Sequence, residues 1–249
     1  MDPTVAEIEA QEDDLQQSLR SLSRLTLVGA GLEPLLTRVA EYAVLAIPGA
    51  DGAGLTLLEE GRSDTIVATT PFVREIDDIQ YSLMQGPCVS AAAEGHTVMS
   101  GSLGGDRRWP RFGSRVARLG VHSVVSLPLV AQDKVLGAMN VYAHAKHVFD
   151  ERAADLGELF AVPAAIAVQN AQTMAQAQRL TEQLRAALEQ RMIVDRAVGI
   201  IMSRSGVDEV EALQRIRTLS QHEHHKLVVI AQQIVDEAVR RARSRRAGE

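Results

Sequence analysis

The sequence predicts two fused folds. The first is an α+β unit, an antiparallel sheet with flanking helices; the second is an all-α three-helix unit, joined to it by a long helix. Three observations predict this. Segments with strand periodicity are confined to residues 52–142 of the 249, and only helical periods follow. Pro163 is the last proline of the chain, and apart from it a helix begun near Asp150 meets no strong breaker before Gly199. Charge also divides the chain: residues 1–178 hold 13 Lys and Arg against 22 Asp and Glu, a net of −9, while residues 179–249 hold 13 against 10, a net of +3. Such asymmetry implies one half that avoids polyanions and another suited to binding one.

Composition bounds the class. Apolar residues make up 46% and charged residues 23%, which excludes wholesale disorder. Aromatics are only 3%, so the core must be built from Ala, Val, Leu and Ile. No run of about 18 apolar residues is present, and the N-terminal MDPTVAEIEAQEDD is acidic where a signal peptide is basic, so no membrane span is expected and the cytoplasm is the expected compartment. The single cysteine, Cys88, excludes an intrachain disulfide and leaves too few thiols for a structural zinc site.

The elements follow in order. Leu15, Leu19, Leu22 and Leu25 recur three or four apart and predict an amphipathic helix over 11–27, ended by Gly29 and Gly31. A second helix starts near Pro34, a residue suited to a first turn, and runs to Ile47 before Pro48 and Gly49 stop it. Residues 52–58 and 64–70 then read as a hairpin around a turn at 59–63, and 71–95 as loop with short helices broken at Gly86 and Pro87. A short strand at 96–99, a Gly- and Arg-rich stretch and a helix at 111–118 lead to the strongest hairpin, 123–130 with 135–142. This order predicts an antiparallel sheet with its helices on one side.

One long helix, or two in register, covers 150–203. Within it Met174, Ala177, Thr181, Leu184, Leu188 and Arg191 form a short coiled-coil seam suited to pairing two chains. Asp208 is positioned to cap the next helix, and the last runs over 227–241.

The strand-rich part resembles a GAF domain, a sensory α+β module. The resemblance rests on the helix over 35–47, GAGLTLL at 52–58, QGPCVSA at 85–91, SLPLV at 126–130, LGAMNVY at 136–142 and Phe149. It implies a small-molecule pocket between the sheet and the crossing segment, for which Tyr81, Cys88, Trp109, His122 and Tyr142 are the candidate residues. Cys88 precedes a helical segment, which would lower its pKa and favour redox sensing. The sequence identifies no cofactor.

No enzyme is expected. GxSxG, HExxH, P-loop and Rossmann fingerprints are all missing, and His96 and His122 lie 26 residues apart with no third metal ligand at a recognisable spacing. Some GAF-like proteins reduce free methionine sulfoxide with several cysteines, and a single cysteine cannot resolve its own sulfenic acid within one chain.

The last part resembles an ANTAR domain, the RNA-binding module of transcription antitermination regulators. The shared positions are Arg191, Ile193, AVG at 197–199, Met202, GVDEVEA at 206–212, Leu213, Ile216, Arg217, Ser220, Gln221, Lys226, Leu227, Ile230, Ala231, Ile234 and Val235. The family commonly has Lys at the position of Val198, an aromatic at Leu213, Asn at His222 and His224, and Asp at Val229. Valine at 198 would remove a phosphate contact. The resemblance implies dimeric binding of paired stem-loops in nascent mRNA. Cations on a helix surface and groups that read splayed bases would carry it, here Arg191, Arg196, Arg215, Arg217, His222, His224, His225 and Lys226.

The expected organisation is an N-terminal helix at 1–30, a GAF-like sensor at 31–172, a helical connector at 173–187, an ANTAR-like domain at 188–241 and a basic tail at 242–249. A DNA-binding factor with a helix-turn-helix and a scaffold that no longer binds RNA are the competing readings.

Overall fold

The computed structural model describes residues 4–25, 31–59 and 62–246, without the side chains of 59, 62–66 and 246. The chain divides into two compact units, Met1–Ala175 and Gln176–Glu249.

The first unit contains helices α1 (Val5–Ser23) and α2 (Leu32–Ala46), strands β1 (Gly52–Glu59) and β2 (Arg62–Ala68), helices α3 (Pro71–Leu83) and α4 (Pro87–Glu94), strand β3 (Val98–Ser100), helix α5 (Pro110–Arg118), strands β4 (Ser123–Ala131) and β5 (Lys134–Ala143), and the start of α6 (Glu151–Ser205). The five strands form one antiparallel sheet in the order β2-β1-β5-β4-β3. Gln132 and Asp133 both have positive φ, which joins β4 to β5 by the tight turn whose twist matches a hairpin. The other expected turn, at 59–63, and the glycine stop at 29 lie partly or wholly outside the described residues. Gly137 is required where β5 meets β1, since a Cβ there would lie 1.9 Å from the Thr56 carbonyl oxygen.

Helices cover both faces of the sheet, which corrects the one-sided packing expected from element order. Val125, Leu127 and Leu129 of β4 and Met139, Val141 and Ala143 of β5 point into a core with α1, α2 and α6, whose largest fully buried members include Leu36, Ile47 and Phe160. Val124 and Tyr142, one residue out of phase, point into a second core with α3, α4 and α5 around Ile76, Phe112 and Trp109. The period-two alternation of strands sends successive side chains to opposite layers. Each fully buried Leu, Ile or Phe contributes roughly 1.5–3 kcal/mol.

The second unit contains the remainder of α6, α7 (Glu209–His222) and α8 (Leu227–Arg246). Gly206, at φ 64, ends α6, and Asp208 caps α7 by accepting the Glu211 amide at 2.8 Å. Ala197, Val198, Ala212, Ile216, Ile230 and Ala231 form the small buried core. Helix α8 continues through Arg246, so the stretch expected as a tail from 242 is helical over its first five residues.

Candidate functional site

Two sets of polar side chains are candidates, one inside the first unit and one on the surface of the second.

The inner set lies between the sheet and α3. That helix buries Val73, Ile76, Asp77 and Gln80, a stripe at i, i+3, i+4 and i+7 in which two members are polar. Tyr142 O–H donates to Asp77 Oδ1 at 2.6 Å and Asn140 Nδ2 to the same oxygen at 3.2 Å. Ser126 Oγ donates to Asn140 Oδ1 at 2.8 Å. Tyr81 O–H donates to Thr56 Oγ1 and lies 3.1 Å from Cys88 Sγ. The Cys88 amide donates to Gln80 Oε1 at 2.9 Å. Gly86, at φ 153, permits this turn, because a Cβ there would lie 2.1 Å from Gln80 Oε1. Gln80 Nε2 is buried without an acceptor among the described residues.

Burial and a neighbouring charge keep the thiol and the two phenols protonated. Burial first, and the negative charge of Asp77 second, push the Cys88 thiol from its ordinary 9.0 up to about 11. This corrects the expected activation by the start of α4: desolvation of the thiolate and a neighbouring carboxylate outweigh the helix end. The Tyr81 and Tyr142 phenols are likewise raised, by burial first.

Of the five pocket residues expected from the sequence, Tyr81, Cys88 and Tyr142 come together here. Trp109 does not join the network. Its Nε1 donates to Ser90 Oγ at 3.1 Å, the Arg108 guanidinium covers its ring at 4.3 Å, and the ring anchors the second core. His122 is half-buried just before β4 and bonds through its backbone to Leu103 and Ala143. Asp77, Gln80, Thr56, Asn140 and Ser126 are members the sequence reading did not name. Their signal was polarity at buried phase: Asp77 and Gln80 extend the apolar stripe of Val73 and Ile76, and Asn140 interrupts an apolar strand.

On the second unit, Arg191, Arg196, Arg215, Arg217, His222, His224, His225 and Lys226 are all exposed. Arg191 is 3.7 Å from Asp195, and Arg215 is 2.7 Å from Glu211. Among the described residues, Arg196, Arg217 and Lys226 form no ion pair. Arg215 and His222, seven residues apart, share one flank of α7, while Arg217, two residues from Arg215, leaves the helix on another.

The turn from α7 to α8 is held by Ser220, whose Oγ donates to the His225 carbonyl at 2.6 Å, and by the His225 amide, 3.1 Å from the Ser220 carbonyl. His225 Nδ1 lies 2.7 Å from the Glu223 carbonyl. His224 has φ 54, a left-handed conformation that asparagine tolerates well, which accounts for asparagine suiting this position.

Val198 is 6% exposed within the core, so it is a packing position.

Among the described residues, no group of three or more His, Cys, Asp or Glu side chains is placed to hold a metal ion, and no helix is long and apolar enough to cross a membrane.

Family models match both units: a GAF domain over residues 29–169 and an ANTAR domain over residues 182–235. No curated protein sequence matches the chain. Among solved structures, the fold is similar to the GAF domain of an Acinetobacter phosphoenolpyruvate-protein phosphotransferase, at 15% identity and TM-score 0.52 over 67% of this chain and 97% of that one. The GAF domain of the corresponding Coxiella burnetii protein matches at 15% identity and TM-score 0.52, over 68% and 98%. The chromophore-binding domain of a bacteriophytochrome from R. palustris matches at 12% identity and TM-score 0.52, over 70% and 64%. At these identities the likeness establishes the fold. With its GAF model spanning more than half of the residues and its ANTAR model following, the chain belongs to the GAF-domain family and is a GAF–ANTAR protein, a sensor domain followed by an output domain.

Proposed function

We propose that this protein is a signal-responsive, RNA-binding regulator of transcription antitermination, non-enzymatic and cytoplasmic, in which the GAF unit controls how the ANTAR unit engages paired stem-loops in nascent mRNA. The observation that carries this reading is the set of exposed cations Arg196, Arg217 and Lys226, without an ion pair among the described residues, on a three-helix unit of net positive charge that follows a net acidic first unit in the sequence. Arg191 and Arg215, each tied to a carboxylate, and His222, His224 and His225 complete the set of RNA-contacting side chains in this reading. Arginine and histidine can stack on splayed loop bases, whereas lysine serves as a point charge for phosphate.

The chain works as a homodimer in this reading. Leu180, Leu184 and Leu188 of α6 are each more than half exposed, as the apolar seam of a helix awaiting a partner helix would be. Pairing would set the spacing of two RNA-binding surfaces, and simultaneous engagement of two hairpins raises affinity through effective concentration. The signal is a small molecule acting at the network of Tyr81, Cys88 and Tyr142, and we place Trp109 and His122 outside it.

Binding of a two-hairpin transcript, measured from 50 to 200 mM salt, tests the reading. A slope of log affinity against log salt that corresponds to several phosphates is expected. Preference for duplex DNA over the transcript overturns it in favour of a helix-turn-helix factor. For the dimer, crosslinking a Met174→Cys variant should raise affinity for two hairpins over one; equal affinity in crosslinked and monomeric protein rejects that part.

A further inference from the structure

A groove of about 360 Å³ runs along the outer side of α7, lined by Glu211, Gln214, Arg215, Thr218, Leu219 and His222. Positions 211, 215 and 222 are stacked at helical spacing, with 214, 218 and 219 beside them. Five of the six lining residues have a definable capacity. The Arg215 guanidinium is fixed by Glu211 Oε1 at 2.7 Å, which presents a planar cation for stacking. Leu219 is 40% exposed and supplies an apolar wall. Thr218 spends its hydroxyl proton on the Gln214 carbonyl at 3.0 Å, so it acts there as a second, largely apolar wall. The Gln214 amide and the second carboxylate oxygen of Glu211 bond to nothing else among the described residues.

We infer that this groove holds one unpaired loop base, and that the base carries an exocyclic amino group. The inference rests on the RNA-binding reading above and specifies which side chains touch a base. A carboxylate in the lining decides between backbone and base. A phosphate track would set its anion against Glu211, whereas a base amino group donates to a carboxylate. Uracil has no amino group, and its one ring donor, N3–H, lies between two carbonyl oxygens that would face the carboxylate, so it is disfavoured. Stacking on Arg215, with Leu219 closing the apolar side, supplies sequence-tolerant affinity, and Glu211 with Gln214 supplies the discrimination. Phosphate contacts then fall to cations on other faces, Arg217 and Lys226 among them.

The test uses the full chain, a two-hairpin transcript whose loops contain amino-bearing bases, and the same stems with all-uridine loops. Leu219→Ala and Glu211→Gln should each weaken binding to the first RNA by about 5- to 50-fold, a base-contact effect, and leave the salt slope unchanged. Arg217→Ala should weaken binding and reduce the slope by about 1, as loss of a phosphate contact does. The wild type should lose about 10-fold on the uridine loops, and Glu211→Gln should lose less than the wild type does. All three side chains are exposed, and unchanged thermal unfolding confirms that the variants fold. Wild-type affinity in Leu219→Ala and Glu211→Gln overturns the groove while leaving the RNA reading standing. A salt slope that falls in Glu211→Gln or Leu219→Ala overturns it as well. A wild-type chain that binds neither RNA overturns both.

Discussion

The two units of this chain use polar side chains in opposite ways. In the GAF unit, Asp77, Asn140, Tyr142 and Ser126 are fully or almost fully buried and bond to one another. In the ANTAR unit, Arg196, Arg217 and Lys226 are in solvent above a core of six small or β-branched residues. An internal network is costly to disturb, because a deleted member strands its partners away from water. A surface set is cheap to disturb for stability, and its removal is felt only by a ligand. A sensor that must change state on binding benefits from the first arrangement; an output surface that meets a polyanion needs the second.

The sharpest way to break this contrast is Asp77→Ala. It orphans the buried Tyr142 O–H and Asn140 Nδ2 together and leaves a void, so thermal unfolding should show a loss of roughly 3–5 kcal/mol. Asp77→Asn keeps an acceptor for Tyr142 and should cost less. A loss below about 1 kcal/mol in the alanine variant would place the residue with ordinary surface positions and remove the distinction between the units.

Next in size is the alkaline behaviour of Cys88. A thiol held at about 11 when folded and 9.0 when free keeps its proton more tightly in the native state. Its contribution to stability is therefore complete below pH 9 and is lost as pH rises from there through about 11, by roughly 2–3 kcal/mol. Wild type should lose stability across that window faster than Cys88→Ala, which lacks the group. Equal slopes would mean that the thiol is solvated. The same burial predicts slow reaction with a thiol reagent at neutral pH until the protein unfolds.

On the surface unit the expected effects reach the ligand alone. Lys226→Ala and Arg196→Ala should each lower RNA affinity by roughly 5- to 10-fold and reduce the salt slope by about 1, with unfolding unchanged. A drop in stability comparable to that of Asp77→Ala would show that these cations hold the fold.

How much of this was legible beforehand follows from the same contrast. The β4–β5 hairpin, the long α6 and the Asp208 cap were readable because period, turn chemistry and capping are local. The exposed cations were readable because charge on a short helix tends to stay in water. The inner network was not. Asp77 and Asp78 are adjacent and chemically identical, yet one is fully buried and the other exposed; helical phase with Val73 and Ile76 is the one local cue, and the bonding partners of Asp77 come from the packing of α3 on the sheet. The two-sided covering of the sheet did leave a trace. SVVSLPLV at 123–130 is apolar at both phases, as a strand buried on both faces requires, where a one-sided sheet would alternate. For Cys88 the local cue, a helix start, pointed one way, and burial beside Asp77 decided the opposite.

The smallest expected effect lies at Asp106, on the rim of the GAF unit. Its carboxylate accepts from the Arg108 side chain at 2.7 and 3.0 Å and from the Arg108 amide at 3.0 Å, and the Arg108 side-chain bonds foremost hold its pKa down at about 2. Arg108 in turn covers Trp109 and donates to the Met99 carbonyl at 2.6 Å, so the pair ties a loop to the second core. A carboxylate whose folded pKa is depressed stabilises above its ordinary 3.8, and that contribution fades as pH falls through about 2. The Arg108 side chain is about half exposed, so screening limits the pair to ~0.5–1 kcal/mol. Asp106→Asn should therefore unfold slightly earlier than wild type at pH 7, and the gap should close as pH is lowered from 4 towards 2. A gap that persists at the acid end would trace the loss to the loop's hydrogen-bond geometry and not to the charge.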